Sequence, residues 1–131
     1  MILLNNLRAY IADHVAIPAD KIFTNFMPAS PDDGVSLIEY GGQVATGYGA
    51  INIQVNVRKL SNTGAHDASW AIFNLFAPRE DRESIQLGDQ IAIVNVKQPP
   101  FKRDVDDAGR TTYTFNMTVV TRWEQPTITT F

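Results

Sequence analysis

The chain has 131 residues, of which 44% are hydrophobic and 19% charged, and it contains no cysteine. This composition excludes a disordered or collagen-like chain, and the absence of cysteine excludes disulfides, thiolate metal sites and cysteine nucleophiles. The net charge of −3 argues against a surface that follows nucleic-acid phosphates, because such surfaces carry clustered lysine and arginine.

The length fits one domain spanning residues 1–131, able to bury roughly two thirds of the surface that the unfolded chain exposes. The apolar residues Met1–Leu4 are not preceded by a run of basic residues, and polar residues come directly after them. We therefore expect neither a signal peptide nor a membrane span, and a protein that stays in the cytosol where it is made.

The first predicted element is an amphipathic helix that ends near Ile17, because residues before a proline avoid the helical conformation and Pro18 follows. Its apolar residues recur at helical spacing; they are Leu3, Leu7, Tyr10, Ile11, His14 and Val15. After a brief extended segment at Ile22–Met27, the turn formers of Pro28–Gly34 predict a surface loop.

Two strands and a glycine-rich stretch follow. Val35–Tyr40 predicts a short strand, and the four glycines within Gly41–Gly49 favour a mobile loop rather than a regular element. From Ile51 to Arg58, apolar and polar residues alternate, which predicts a strand with one buried face.

A second helix is predicted after the capping candidates of Ser61–Gly64, and Pro78 should end it. Its apolar stripe is Ala65, Ala68, Ile72, Leu75 and Phe76. Trp70 and Phe73 lie off this stripe, so we expect them either to pack in the core or to form a second contact face. Arg79–Glu83 reads as a charged connector.

The C-terminal half contains two further strands. A turn at Gly88–Asp89 precedes a strand at Gln90–Val96, and Gln98–Gly109 connects this strand to the last one. Thr111–Trp123 alternates without interruption and predicts one long strand with one apolar face. We expect the tail from Pro126 to be loose.

The order helix, strand, strand, helix, strand, strand predicts an α+β fold. We expect a two-layer sandwich in which two helices cover one face of a mainly antiparallel or mixed sheet of about four strands. The last strand spans roughly 40 Å at about 3.3 Å per residue, against a radius of gyration of about 14 Å for a compact domain. A long C-terminal β-hairpin should therefore extend beyond the core, with Phe101–Arg103 at its tip.

Candidate catalytic and metal-binding groups are weakly supported by the sequence. The two histidines, His14 and His66, have no neighbours at metal-ligand spacing. We expect His14 to be packed and hydrogen-bonded, and His66 to face solvent. The acidic pairs Asp32–Asp33, Glu80–Asp81 and Asp106–Asp107 fall in turns or connectors. The sequence contains neither a phosphate-binding glycine pattern nor a GxSxG motif. We predict no enzyme activity, no cofactor and no metal site.

The segment from Lys97 to Asp107 has a different character, since it combines two prolines, an aromatic residue and charges of both signs. A plain hairpin loop explains it, but an aromatic residue with a charged rim is also typical of an interface anchor. The predicted contact residues are Lys97, Phe101, Lys102, Arg103, Asp104, Asp106, Asp107 and Arg110.

Three stretches, taken in order, resemble the minor capsid and tail terminator proteins of long-tailed bacteriophages. They are Phe26–Gly42 with its Pro-Asp-Asp-Gly turn, the strand Ile51–Arg58 leading into an alanine-rich helix, and Asp106–Arg110 opening the long final strand. Each stretch alone is common, and the ordered combination covers most of the chain.

The resemblance implies an α+β subunit that forms a ring, commonly a hexamer, on the end of the tail tube. Such a ring would stop tube growth and join the tail to the head, a role also called tail completion. The implied partners are further copies of the chain, the tail tube protein and a head-completion or connector protein, with no membrane and no sequence-specific nucleic acid. The expected location is the tail or neck of the virion.

Three alternatives stay open. A neighbouring neck role such as head completion fits the same resemblance. A small cytosolic enzyme would use a pocket near His14, Glu39 or Tyr40, because titratable groups lie near predicted element ends. A nucleic-acid accessory protein would need a basic stripe, which the net charge disfavours.

Overall fold

The structure, a computed structural model, describes residues 2–77 and 84–122. Its helices are α1, Ile2–His14, and α2, Asn62–Phe76. Its strands are β1 Ile22–Thr24, β2 Gly34–Ala45, β3 Tyr48–Lys59, β4 Ile85–Leu87, β5 Gln90–Val96, β6 Phe101–Val105 and β7 Thr111–Arg122. The predicted stop at Pro78, the connector Arg79–Glu83, Trp123 and the tail from Pro126 lie outside the described residues.

The two helices form where the apolar spacing predicts them. Helix α1 fully buries Leu4, Leu7 and Ile11, which follow one another at intervals of three and four residues. Helix α2 begins after Ser61, whose side-chain oxygen accepts a hydrogen bond from the Gly64 amide at 3.0 Å. The capping prediction is thereby confirmed.

The strands form one seven-stranded mixed sheet in the order β1-β2-β3-β7-β5-β4, with β6 also paired to β7. Only β1 with β2 is a parallel pair among the described pairings. The α+β class is confirmed, but the expectation of about four strands is wrong. The additional strands β1, β4 and β6 have three to five residues, too few to show an alternating pattern.

One hydrophobic core joins both helices to one face of the sheet, as predicted. The longer strands contribute alternate residues, for example Val55 from β3 and Phe115 from β7, both with no exposed surface. Phe73 packs against this core, its ring centroid 5.6 Å from that of Phe115 and 5.2 Å from that of Trp70. The opposite face of the sheet carries polar residues such as Asn56 and Thr114; we call it the polar face.

Strand β7 lies in the middle of the sheet. It pairs with β3 over twelve residues on one edge, and with β5 and then β6 along the other edge. Residues 97–100 separate β5 from β6, and the Lys97 amide donates to the Asn116 carbonyl at 2.8 Å. The alternation of Thr111–Arg122 is confirmed, but the strand is paired along its length rather than extending as an arm.

The far end of the β2–β3 hairpin, residues 40–48, differs from the rest of these two strands in its exposure; we call it the distal hairpin. All of its residues are exposed, and the prediction of a mobile loop there is wrong because β2 and β3 continue through it to a turn at Thr46–Gly47. A β-bulge lies between Glu39 and Gly42. Its glycines have φ of 105° at Gly41 and 145° at Gly42, a conformation that side chains rarely adopt.

Candidate assembly interface

Strands β6 and β7 are joined by a tight turn, residues 106–110, in which Asp106 is the organising residue. Its Oδ1 accepts hydrogen bonds from the amides of Ala108 and Arg110, both at 3.0 Å, and its Oδ2 accepts from Arg110 Nε at 2.8 Å. The tip of the hairpin is therefore this turn. The prediction that Phe101–Arg103 form the tip is wrong, because these residues pair with β7 as strand β6.

Two arginines attach the proline-rich loop, residues 28–33, to the end of the hairpin. Arg58 is 6% exposed and donates to the carbonyls of Pro31 at 2.6 Å and Asp32 at 3.1 Å. Arg110 donates to the Ala29 carbonyl, and its guanidinium lies 3.7 Å from the Asp32 carboxylate. Burial, followed by the charge of Arg110, lowers the pKa of Arg58 from its ordinary value. The Arg110 end of β7 is thus bound to its own subunit.

The pKa of Asp106 lies below its ordinary value, chiefly because its carboxylate accepts the backbone hydrogen bond of Arg110. Because this pKa is lower in the folded than in the unfolded state, the ionised carboxylate stabilises the fold at pH values above the unfolded-state pKa of about 3.9. The stabilisation is lost as the pH falls through the folded-state pKa.

We therefore expect Asp106→Asn to lower the thermal midpoint at pH 7. The difference in thermal midpoint between the variant and the parent protein, the gap, should narrow as the pH falls from about 5 towards 2. Circular dichroism melts across this range measure the gap. Asp107→Asn, at the exposed next residue, should show little effect at either end of the range. A gap for Asp106→Asn that stays constant with pH would contradict this linkage.

A hydrogen-bonded ladder crosses the polar face and reaches β6. Asn56 Nδ2 donates to Ser36 Oγ at 3.1 Å, and Thr114 Oγ1 donates to Asn56 Oδ1 at 2.7 Å. From β6, Arg103 Nη1 donates to Gln54 Oε1 and to Asn56 Oδ1, both at 3.3 Å. The Arg103 guanidinium is therefore held by two neutral oxygens, and no described acidic group lies within ion-pair distance of it.

The predicted contact residues divide into two groups. Asp106 and Arg110 are half-buried and engaged within the subunit. The others are exposed; they are Phe101, Lys102, Arg103 and Asp104 on β6, Lys97 before it and Asp107 in the turn after it. Phe101 is 45% exposed, as an interface anchor would be in an isolated subunit. The structure thus brings six of the predicted residues onto an accessible strip, whose role in contacts stays a prediction.

Sequence reasoning missed the residues that support this strip from below. Gln54, Asn56 and Arg58 lie on alternate positions of β3 and, with Arg103 and Asp104, line a groove of about 390 Å³. The alternation of β3 indicated that these side chains share a face. It gave no sign that β6 would lie beside them, since Arg103 is 47 residues from Asn56 in sequence.

The enzyme alternative requires a pocket near His14, Glu39 or Tyr40. A second cavity of about 220 Å³ is lined by residues such as Ile17, Lys21 and Ala68, and His14, Glu39 and Tyr40 line neither this cavity nor the groove. His14 is exposed, hydrogen bonds through Nδ1 to the Tyr10 carbonyl at 2.8 Å and stacks on the Tyr10 ring. These placements give the enzyme alternative no support.

Other ligand classes also lack a site in residues 2–77 and 84–122. No group of three or more histidine and acidic side chains in these ranges is arranged to hold a metal ion. Neither described helix is long and apolar enough to cross a membrane. His66, as predicted, faces solvent, with Nδ1 3.0 Å from the Asp67 carboxylate.

Comparison with known families gives a match to the bacteriophage tail terminator protein over residues 4–123. The chain belongs to the bacteriophage tail terminator family. The resemblance drawn from the sequence is thereby confirmed. Among solved structures, a chain described as "Virion of native gene transfer agent (GTA) particle" has a similar fold, with a TM-score of 0.61 and 12% identity. The alignment covers 92% of this protein and 98% of that chain. No curated protein sequence matches.

Membership of the tail terminator family makes this protein a structural component of the virion, located in its tail or neck. It also supports a non-enzymatic role and implies assembly with other phage structural proteins. For this terminator, the exposed strip on β6 and the distal hairpin are therefore the described surfaces to consider for contacts with other subunits.

Proposed function

We propose that this tail terminator assembles into a ring, a hexamer by analogy with its family, on the end of the tail tube. The ring stops tube growth and presents the surface that joins the tail to the head-completion or connector protein. The observation that carries the proposal is the family match over residues 4–123, which leaves little of the chain for any other role.

The distribution of exposed surface supports a ring rather than a two-fold dimer. A ring uses heterologous contacts, in which one surface of a subunit meets a different surface of the next. Two dissimilar exposed regions are the charged strip on β6 and the distal hairpin, whose Tyr40, Val44 and Tyr48 are 49%, 59% and 50% exposed; Ile91 on β5 is exposed as well. The similar fold of a chain from a gene transfer agent virion is consistent with a role in an assembled particle.

Purified protein should be tested alone and with the tail tube protein. Light scattering gives the mass of any closed oligomer, and negative-stain microscopy shows rings and their position on tube ends. We expect rings, and tubes of limited length capped at one end. A protein that stays strictly monomeric and leaves tube growth unchanged would overturn the proposal, and a ring that binds the head connector but not tubes would favour head completion.

Charge reversal on β6 should weaken assembly without unfolding the subunit. Lys102→Glu with Arg103→Glu exchanges two exposed cations for anions, and we expect at least about a tenfold loss of apparent affinity between subunits or for the tube, equivalent to about 1.4 kcal/mol. Titration by light scattering or of tube capping measures this loss.

The matched control is Arg8→Glu with Lys21→Glu, which changes the net charge equally at two half-buried cations away from β6. It should assemble like the parent protein. Normal capping by the β6 variant, with an unchanged circular dichroism spectrum, would remove this strip from the interface.

A further inference from the structure

Among the strand edges to which no described strand pairs are those of β2 and β6. On β2, strand β1 pairs only with Val35–Leu37, and the Asn25 side chain accepts the amide of Glu39 at 3.3 Å. From Tyr40 to Ala45 the outer edge of β2 has no pairing with any described strand. On the opposite flank, β6 pairs with β7 along one edge only, and all five of its residues are exposed.

The open edge of β2 has few of the features that keep exposed strands apart. Edge strands are usually protected by lysine, proline, inward-pointing charge or a β-bulge, and of these β2 has the bulge between Glu39 and Gly42. Residues 40–45, Tyr-Gly-Gly-Gln-Val-Ala, carry no charge and no proline. Beyond the bulge, this uncharged edge is open to pairing with another strand in the assembled state.

The edge of β6 differs from that of β2. Lys102, Arg103 and Asp104 make it charged, and the register shift between Lys102 and Asp104 bends it. Two copies of β6 paired antiparallel about Arg103 would place Lys102 opposite Asp104, so charge does not exclude that pairing, but it joins identical edges and gives a two-fold dimer. Pairing of β6 with the different edge of β2 is heterologous, as a ring requires.

Strand directions and positions also agree with this pairing. Within the subunit, β6 runs antiparallel to β7, β7 to β3, and β3 to β2, so a sheet continued from one copy to the next places β6 antiparallel to β2. The strand pairings give the level of each edge along β7. The centre of β6 lies beside Thr112–Tyr113. Gly42 lies level with Val119, because Gly42 pairs with Ile51 and Ile51 pairs with Val119. For β6 of the next copy to pair with β2, that copy must be displaced by roughly 20 Å along the strands and by about 19 Å, or four strand spacings, across the sheet. This corresponds to an inclination of about 45°, close to the strand tilt of closed barrels.

We propose that the outer edge of β2, residues 40–45, pairs with the outer edge of β6 in the next copy of this chain, so that one sheet continues around the ring. This inference rests on the proposed ring and names its subunit contact. The pairing is heterologous, since β2 of one copy meets β6 of another, and such contacts repeat until a ring closes.

The absence of cysteine makes the contact testable by site-specific cross-linking. The register places Gln43 and Asp104 on the polar face, and both are exposed. In a variant carrying Gln43→Cys and Asp104→Cys, a bismaleimide with a reach of about 8 Å spans direct and diagonal cross-strand neighbours. We expect a ladder of covalent oligomers that ends at the ring size, and no multimers from either single variant.

The control pairs Gln43→Cys with Gln86→Cys, because Gln86 is exposed on β4, away from both open edges. It should give no ladder. Negative-stain microscopy of the untreated variants separates the two proposals. If the variant with Gln43→Cys and Asp104→Cys forms rings that fail to cross-link, the edge pairing alone is overturned, whereas absence of both rings and ladder would overturn the ring as well. Dimers from Gln43→Cys alone would show β2 pairing with β2 and would also overturn the edge pairing.

Discussion

Replacing Asn56 by alanine is expected to destabilise the fold by about 2–4 kcal/mol, because it leaves the hydroxyls of Ser36 and Thr114 without their partner. Both hydroxyl-bearing residues are 1% exposed, so water does not readily replace the lost amide. The same change removes one of the two oxygens that hold Arg103. Urea or thermal unfolding followed by circular dichroism measures the loss.

A matched control lies four residues away on the same face. Asn52 is half-buried and accepts one hydrogen bond, from Thr118 Oγ1 at 2.9 Å. Asn52→Ala should therefore cost only about 1 kcal/mol. The combination Ser36→Ala, Asn56→Leu and Thr114→Val, which removes all three polar partners together, should recover much of the stability lost in Asn56→Ala. A loss below about 0.5 kcal/mol for Asn56→Ala would contradict the role of this ladder.

Replacing Gly42 by alanine is expected to distort the bulge of the distal hairpin and to cost about 3 kcal/mol. A Cβ atom at this position would lie 1.9 Å from the Ala50 carbonyl oxygen on the paired strand, so the two strands would have to separate. The backbone φ of 145° adds strain of its own. Unfolding measurements give the cost, and amide hydrogen exchange in residues 40–50 reports where the structure opens.

Gly41→Ala separates the steric clash from the backbone strain. Gly41 also has positive φ, 105°, but a Cβ atom there meets nothing within 4 Å. We expect a smaller cost of about 1–2 kcal/mol, due to strain alone. Equal losses for the two variants would show that the close approach to Ala50 is relieved without penalty. If the edge of β2 contacts the next subunit, Gly42→Ala should also impair ring formation more than Gly41→Ala does.

The elements that the sequence predicted well are those whose pattern repeats over many residues. Helices α1 and α2 bury apolar side chains at every third or fourth position, and strands β3 and β7 bury them at every second position. This spacing can be read directly from the sequence. The α+β class follows from their order. Strand β6 was predicted as part of a connection, because its five exposed and mostly charged residues show no apolar face.

The glycines of Gly41–Gly49 led to the prediction of a loop where β2 and β3 continue as strands. Glycine favours a loop when considered alone, but Gly42 is required by contact with Ala50, a partner that only the pairing of the strands reveals. The arginine contacts were hidden for the same reason. Arg58 and Arg110 bind the loop at residues 29–32 across 26 to 81 positions of sequence, and no local pattern records such distances.

The candidate interface was predicted in composition but not in geometry. The strip, including Phe101 and Lys102, combines aromatic and charged groups and is exposed, while its role in contacts stays a prediction. Their position along an open strand edge, rather than at a tip, depends on the register between β6 and β7. This register is fixed by the turn that Asp106 and Arg110 hold together.

The central position of β7 has a consequence for biosynthesis. This strand follows every other described element in sequence, yet it joins β3 to β5 and β6. During translation, which proceeds at roughly 5–20 residues per second, the nascent chain has β2 and β3 available but not the strand that completes their sheet. Neither the core nor the edge of β6 forms before Thr111–Arg122 is synthesised, since both pair with it. Folding of the core therefore waits for the synthesis of β7, and we expect a truncated chain lacking β7 not to form this sheet.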